Sequence, residues 1–369
     1  MARILYGVMG DARGHVCRAL TVAQQMSGHE FLFVGGGRAH DLEADGYSVE
    51  DVPIPGTQYK RNRVDIPSTV GNALRVFMKR PAVIRRLGEI IDSFDPHLIL
   101  TDYEYFTPWA ARSKDRLCLS LDHQHIVTHC AYEPPRAERF GRQITRLAVC
   151  RLFSEASLFL IVSFYRLPPV NPETTYVLPT IVRNAVKCHV PSDGEHVLVY
   201  QTSPTFFRLL PILEQMNHRF FVYGFGERPP RRNLVFKPFL SENFLQDLAS
   251  CRYAITNGGH NVISEALYFG KPILSFPIRY AYEQFLNAYF LDQLSYGAYS
   301  IEAPSPRVIE SFESRLDLFK ASIRKNFRLG NKNLAAKLER IIRHADGTTR
   351  GDVASEFGAE PREYSALRY

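Results

Sequence analysis

Two stretches of this sequence combine residue types that can do chemistry. In the first, Gly7-Val8-Met9-Gly10-Asp11-Ala12-Arg13-Gly14-His15, glycines close a turn between an apolar strand and a helix. The turn delivers His15 and backbone N–H groups to the edge of a sheet where open α/β folds bind ligands. Its spacing is not Gly-x-Gly-x-x-Gly, and no Gly-Lys-Ser/Thr follows, so it is neither a dinucleotide fingerprint nor a P-loop. In the second, Thr256-Asn257-Gly258-Gly259-His260-Asn261-Val262-Ile263-Ser264-Glu265, a strand runs into two glycines and then a helix. Close backbone approach at a helix N-terminus suits a pyrophosphate. Glu265 lies about 1.5 turns into that helix, where a carboxylate can accept both hydroxyls of a ribose. After a helix stop, a strand and a turn (Gly270 to Pro277), Glu283, Gln284 and Asn287 carry groups suited to sugar hydroxyls.

Asp102 ends an apolar strand and is followed by Tyr103-Glu104-Tyr105. An acid there can orient His15 and stabilise its imidazolium; Glu104 and Asp11 are alternatives for that role, and a helix cap is an alternative role for Asp102. Asp122-His123-Gln124-His125 puts three potential ligands in four residues, but no downstream partner has ligand spacing. His123 and His125 read better as lining of an acceptor cleft than as a metal box, and the chain has no Asp-x-Asp motif. The expectation is that no metal and no cofactor take part. Six cysteines (17, 118, 130, 150, 188 and 251) form no Cys-x-x-Cys pair, which fits a reducing compartment.

These residues need elements to position them. Ile4–Val8, Phe31–Val34, His97–Thr101 and Leu117–Leu121 read as strands, with helices over His15–Ser27 and Leu74–Asp92 between them. The pattern restarts with strands at His196–Tyr200, Phe220–Tyr223, Tyr253–Thr256 and Pro272–Phe276. A helix is expected after Ser203-Pro204, with Pro211 marking a kink or second start. Helical stretches run from Ser305 to His344. Alternation of strands and helices makes the class α/β with parallel sheets. With 369 residues, about two domains are expected: 1–183 and 195–345, a linker at 184–194, and a polar tail at 346–369.

The net charge of +7 comes from 45 Lys+Arg against 38 Asp+Glu. Residues 1–183 hold 22 basic and 19 acidic side chains and the remainder 23 and 19, which argues against a dedicated nucleic-acid domain. Two clusters stand out locally. Lys60 to Arg86 holds eight basic residues against Asp65, and Arg136 to Arg151 holds five against Glu138. Leu74, Val76, Phe77, Val83 and Ile84 interleave with the first cluster, as in segments that lie on anionic membranes. No apolar run approaches the ~18 residues of a membrane span, and Met1-Ala2-Arg3 leads straight into a strand without a signal-peptide pattern. A cytoplasmic protein is expected, in contact with a membrane surface where the basic clusters reach it.

Residues 256–287 resemble the donor-binding signature of GT-B glycosyltransferases that use nucleotide sugars. Gly10-x-x-x-Gly14-His15-x-x-Arg18 resembles the matching amino-terminal loop of the superfamily that includes MurG and the UDP-glycosyltransferases. The resemblance implies two Rossmann-like domains facing a cleft, the first for the acceptor and the second for a UDP-sugar, the co-substrate. It implies Glu265 on the ribose and Gly258, Gly259, His260 and Asn261 at the pyrophosphate. Glu283 and Gln284, with Asn287, would face the donor sugar, Thr202 and Ser203 a phosphate, and the Phe239-Leu240 backbone the base. His15 would be the general base, with Gly14, Arg18, Glu104, His123 and His125 on the acceptor side. The signature histidine of the plant enzymes falls at Asn257, so His260 or backbone N–H groups would take over. Retaining enzymes of this fold commonly carry a second glutamate eight positions before the ribose-binding one. That position is also Asn257, which implies inversion. The implied reaction moves a sugar such as N-acetylglucosamine to a lipid-linked or glycan acceptor of the cell envelope. A UDP-sugar 2-epimerase and a silent nucleotide-sugar-binding subunit are the alternatives.

Overall fold

A computed structural model describes residues 1–202, 204–239 and 241–345; Ser203, Leu240 and the expected polar tail lie outside the described residues. Strands β1 (Arg3–Val8), β2 (Glu30–Gly35) and β3 (Ser48–Asp51) alternate with helix α1 (Arg13–Gln25). A hairpin of β4 (Tyr59–Lys60) and β5 (Arg63–Val64) precedes α2 (Ile66–Phe77) and α3 (Arg80–Phe94). Then come β6 (Leu98–Asp102), α4 (Phe106–Ser113), β7 (Cys118–Asp122), α5 (Ile126–His129), α6 (Arg139–Leu152), β8 (Leu158–Ser163) and β9 (Thr175–Pro179). These strands, the hairpin apart, form one parallel sheet in the order β3-β2-β1-β6-β7-β8-β9.

After α7 (Asn184–Lys187), a second parallel sheet has the order β12-β11-β10-β13-β14-β15. Its strands are β10 (Val197–Tyr200), β11 (Phe220–Tyr223), β12 (Leu234–Phe236), β13 (Ala254–Thr256), β14 (Ile273–Ser275) and β15 (Gly297–Tyr299). Around them lie α8 (Leu210–Leu213), α9 (Ser241–Ser250), α10 (His260–Tyr268), α11 (Tyr282–Gln293), α12 (Pro306–Glu313), α13 (Leu316–Asn326) and α14 (Asn331–Ala345). The α/β class with two parallel sheets is as expected from the sequence.

Each sheet reverses its winding once, between β1 and β6 in the first and between β10 and β13 in the second. Loops on either side of such a switch point diverge and leave a crevice at the strands' carboxyl ends. Val8 pairs with Asp102 there, so the turn leading to His15 and the acid that ends β6 share one crevice. In the second sheet the Gln201 loop and the Thr256–Gly259 turn share the other. Gly10 is required at the first because a Cβ would come 1.7 Å from the Gly36 carbonyl oxygen. Gly258 has φ +89°, and a Cβ there would lie 2.5 Å from the Gln284 carbonyl.

Three local expectations change. The helix expected over Leu74–Asp92 is two helices. The first begins at Ile66, where Asp65 caps the Ser68 N–H, and the chain restarts at Arg80 with a proline in its first turn. Pro81 lacks the N–H that a continuous helix would use. Only a 3-10 turn at Phe207–Leu209 and the short α8 follow Pro204, and Pro211 opens α8 as a second start. Finally, α14 returns to the first sheet. Leu334, Leu338, Ile341 and Ile342 join the cluster of Ile4, Phe33 and Leu160, Asn331 makes two hydrogen bonds to the Val182 backbone, and Glu339 pairs with His29 at 2.9 Å. The segment from about Asn331 onward therefore packs with the first half, although it follows the second in sequence. A further cluster joins Ile126, Tyr165 and Val186 to Leu198, Ile263 and Leu286, so apolar packing also bridges the two halves.

Candidate functional site

Asp102 is fully buried at the end of β6. Its Oδ1 lies 2.7 Å from His15 Nδ1, and Arg18 donates to both oxygens, Nη2 to Oδ1 and Nε to Oδ2, each at 2.7 Å. His15 and Arg18 stand one turn apart on α1, so one carboxylate reads both. Burial disfavours the imidazolium, but the charge and hydrogen bond of Asp102 outweigh it and the His15 pKa is raised; Arg18 opposes the rise. Tyr103, just past Asp102, holds φ +56°, an unusual conformation for an aromatic residue and a form of strain found at functional sites. Its ring lies nearly parallel to His15 at 6.2 Å.

The alternatives to Asp102 take other places. Glu104 accepts the Phe106 and Thr107 N–H groups at 2.9 and 2.6 Å and so caps α4. Asp11 is exposed and reaches His15 only through its field. Of the acceptor-side residues, Gly14 borders the second half, Arg18 is bound to Asp102, and Glu104 is held under α4. His125 is buried against Asp122 (2.6 Å) and Ser120, and the Asp122 carboxyl is held well below the usual range, by His125 chiefly, against the effect of burial. His123 is also buried, with Nδ1 3.0 Å from the Val162 carbonyl and Nε2 2.7 Å from Asn287 Oδ1. Glu104, His123 and His125 are thus buried against polar partners that short-range sequence does not reveal, while Arg18, held by Asp102, lines a small cavity together with Arg183, His260, Asn261 and Glu265.

In the second half, α10 starts at His260 and its first turn faces the first half. Asn261 Nδ2 donates to the Gly14 carbonyl at 2.8 Å. The His260 ring stacks on His123 at 3.8 Å, and burial together with the field of His123 and Arg18 holds its pKa well below the ordinary value. His260 is thus buried where the two halves meet. Glu265 is buried on α10 and paired with Arg183, Nε to Oε1 at 2.7 Å and Nη2 to Oε2 at 3.3 Å. Asn287 is fully buried, donating to the Gly258 carbonyl (3.0 Å) and to Glu283 Oε1 (3.1 Å) and accepting from Tyr165 as well. Gln284 accepts the Ile278 N–H at 3.3 Å. Thr202 donates to Asn257 Oδ1 at 3.2 Å. Phe239 packs on Phe244 at 4.7 Å, with the Arg13 guanidinium 4.6 Å above its ring.

Residues missed from sequence complete the arrangement. Arg183, which the sequence assigned only to a domain end, holds Glu265. The Gln201 amide, Asn257 Nδ2 and Ser275 Oγ are buried without hydrogen-bond partners, in a row at the carboxyl ends of β10, β13 and β14. A buried polar group without a protein partner calls for water or another molecule to satisfy it. A polar residue at the carboxyl end of an apolar strand was the available signal for Gln201 and Ser275. The β4–β5 hairpin also spans the two halves: Asn62 N–H donates to Thr205 Oγ1 (2.8 Å) and Arg279 N–H to the Asn62 carbonyl (3.0 Å). Among the described residues no three His, Cys, Asp or Glu side chains converge as a metal site.

One parallel sheet thus carries a His-Asp pair at its switch point and the other a glycine turn into a helix. The family model for glycosyl transferase family 1 matches residues 2–317. The chain belongs to that family. An uncharacterised glycosyltransferase of Methanosarcina acetivorans is 26% identical over 337 residues, covering 83% of this chain and 86% of that protein. MurG of Acinetobacter baumannii superposes with a TM-score of 0.58 at 13% identity, over 92% of this chain and 100% of that one. A Phytolacca americana UGT2, solved with UDP-2-fluoro-glucose and pterostilbene, gives 0.61 at 14% identity, over 96% and 99%. The fold of this family member is GT-B, and the protein is a glycosyltransferase of that type.

Proposed function

We propose that this glycosyltransferase moves a sugar from a UDP-sugar to an acceptor hydroxyl with inversion, in the synthesis of a cell-envelope glycan or glycolipid. The observation that carries the reading is the hydrogen bond from Asn261 to the Gly14 carbonyl. It sets the residue before His15 against the N-terminus of α10, the arrangement in which His15 as proton acceptor and the α10 end as diphosphate binder would share one crevice. His15 would take the acceptor proton while Asp102 stabilises the imidazolium. The α10 N-terminus and the Gly258-Gly259 backbone would meet the negative charge that develops on departing UDP, a role that asks for no divalent ion. Glu265 would take the ribose hydroxyls. The row of unsatisfied groups at Gln201, Asn257 and Ser275 supports a polar ligand over the second sheet. The Phytolacca americana neighbour, solved with UDP-2-fluoro-glucose, supports a UDP-sugar donor.

A thermal-shift screen of nucleotides and nucleotide sugars tests the donor, since a ligand that binds only the native state raises Tm. UDP release from the stabilising sugar, with and without hydroxyl acceptors, tests the reaction. Acceptor-dependent release is expected. Release of UDP with an epimerised free sugar and no acceptor would replace transfer by epimerisation, and binding without release would make the protein a silent nucleotide-sugar binder.

A further inference from the structure

The β4–β5 hairpin runs from one half of the molecule to the other. Before its first strand, Gly56 lies against the turn that leads to His15, where a Cβ would come 3.6 Å from that of Asp11. At its tip, Asn62 reaches two loops of the second half. Its N–H donates to Thr205 Oγ1 at 2.8 Å, in the loop after β10, and its carbonyl accepts the Arg279 N–H at 3.0 Å, in the loop after β14. The Val64 N–H donates to the Arg279 carbonyl at 3.1 Å. The first of these loops continues from Gln201 and Thr202, and the second leads to Glu283 and Gln284. Tyr59, opposite Val64 in the hairpin, lies between the halves. Its phenol is pushed up chiefly by burial and then by the charges of Asp11 and Glu283, one from each half.

The hairpin is built to open. Its strands have two residues each, and neither Tyr59 nor Val64 belongs to the apolar clusters on which the sheets rest. A lone hairpin is marginally stable, and segments with few buried apolar contacts are the first to open. Both turn residues are left-handed, Arg61 at φ +51° and Asn62 at φ +56°, which fits a two-residue connection that keeps the strands in register. The hairpin therefore swings as one piece. Its tip is also incomplete, because Asn62 Oδ1 is buried and accepts no hydrogen bond. A carbonyl oxygen needs an O–H or N–H donor. An ionised diphosphate has none to give, whereas a sugar hydroxyl does.

We propose that the β4–β5 hairpin is a strap over the sugar of the donor, with Asn62 a specificity residue that accepts a hydrogen bond from that sugar and Tyr59 the ring that closes the crevice between Asp11 and Glu283. The strap lifts to admit the donor and to release UDP. What it holds rests on the UDP-sugar reading; its opening does not.

Hydrogen exchange over residues 58–65 reads the strap without any ligand. These amides should exchange about 100-fold faster than those of β1 and β6. The probe is UDP-glucose or UDP-N-acetylglucosamine, whichever raises Tm more, and it should slow them about tenfold more than UDP does. Exchange as slow as that of the sheet, or equal protection by UDP and the nucleotide sugar, would overturn the strap. Calorimetric Kd values read the contact. Asn62→Gly keeps the left-handed backbone and its hydrogen bonds and removes only the amide. It should weaken the nucleotide sugar about tenfold and UDP less than about twofold, the scale of one hydrogen bond, and Tyr59→Leu should show the same split. A merely structural role would weaken both ligands alike, so equal losses, or none, in Asn62→Gly of unchanged Tm would overturn the specificity role. Binding of neither nucleotide sugar by wild type would overturn the donor reading and the Asn62 contact with it, and the ligand-free exchange would still decide the opening of the strap.

Discussion

Asp102→Asn probes the centre of the proposed mechanism. The carboxylate accepts Arg18 on both oxygens and faces His15 through Oδ1. An amide offers one acceptor oxygen and one NH2 group. With its oxygen toward Oδ2, the NH2 group meets both Arg18 Nη2 and His15 Nδ1; with its oxygen toward Oδ1, it opposes Arg18 Nε. In the first arrangement His15 Nδ1 must become the acceptor and the ring proton moves to Nε2, which removes the lone pair a general base needs. The kcat for acceptor-dependent UDP release should then fall about 10²–10⁴-fold, the usual contribution of a general base. Stability falls as well. Arg18 and Asp102, 2.7 Å apart, attract by about 6 kcal/mol at an effective dielectric of about 20, and desolvation offsets part of this. Stranding the buried guanidinium costs about 3–5 kcal/mol, because Gln124 Oε1 is too distant, at 3.5 Å, to replace the carboxylate.

The pH profile supplies a second, independent reading. In the wild type Asp102 raises the His15 pKa against burial and Arg18. Without its charge the two lowering influences remain, so the acidic limb of kcat should move to lower pH while the plateau drops. Urea unfolding measures the stability loss, and retained UDP binding shows that the assayed protein is folded. A plateau within about threefold of wild type, or an acidic limb that does not move, would refute the assignment of His15 and Asp102 as base and partner.

Glu265→Ala should weaken UDP-sugar binding by about 1–3 kcal/mol in calorimetry, the scale of charge-assisted hydrogen bonds; an unchanged Kd in folded protein would remove the ribose assignment. Burial, chiefly, lowers the pKa values of His123, His260 and His129, the last to about 4. At these three groups the unfolded chain binds more protons than the native one below pH 6.5, so their contribution to the urea midpoint should fall as pH drops from 6.5 toward 4. His129→Leu should flatten that slope, while His15, whose pKa is raised, contributes the opposite sign: its share is full below 6.5 and lost as pH rises through its folded pKa. A UDP-α-sugar should give a β-linked first product. For a gluco- or galacto-configured donor the anomeric proton coupling decides it, and a small coupling would overturn both inversion and the base role of His15.

Much of the architecture was legible because it depends on local pattern. Apolar runs such as Leu98–Thr101 and glycine turns such as Gly258-Gly259 fix strands, turns and helix starts within a few residues of themselves. What was not legible depends on separation. Leu334 and Leu338 form an ordinary amphipathic face, and nothing local says which of two sheets it covers. The same limit applies to polar groups: Glu104 and Asp102 are two residues apart, yet one caps a helix and the other pairs with a histidine 87 residues away. Asn287 looks like a sugar ligand by position and composition, but the partners that bury it come from the segments after β7 and β8 and from the turn after β13.

Arg183 illustrates what this long-range layer does to the candidate donor site. Residues nominated for the donor meet the first half: Asn261 at Gly14, His260 at His123, Phe239 under Arg13 and Glu265 at Arg183. For Glu265 the question is whether Arg183 competes with a ribose or prepares the carboxylate for one. A carboxylate has about four acceptor directions, and Arg183 occupies one on each oxygen. Two directions remain, enough for two hydroxyls, and a guanidinium that fixes the carboxylate reduces the entropy lost when a ligand binds. Arg183→Gln should therefore lower UDP affinity, by about two- to tenfold, the cost of immobilising one side chain on binding. If Arg183 instead had to leave before the ribose could enter, the same substitution would remove that cost and UDP would bind more tightly. Calorimetric Kd values for wild type and Arg183→Gln decide between the two by sign alone, and tighter binding in the variant would refute the preparatory role.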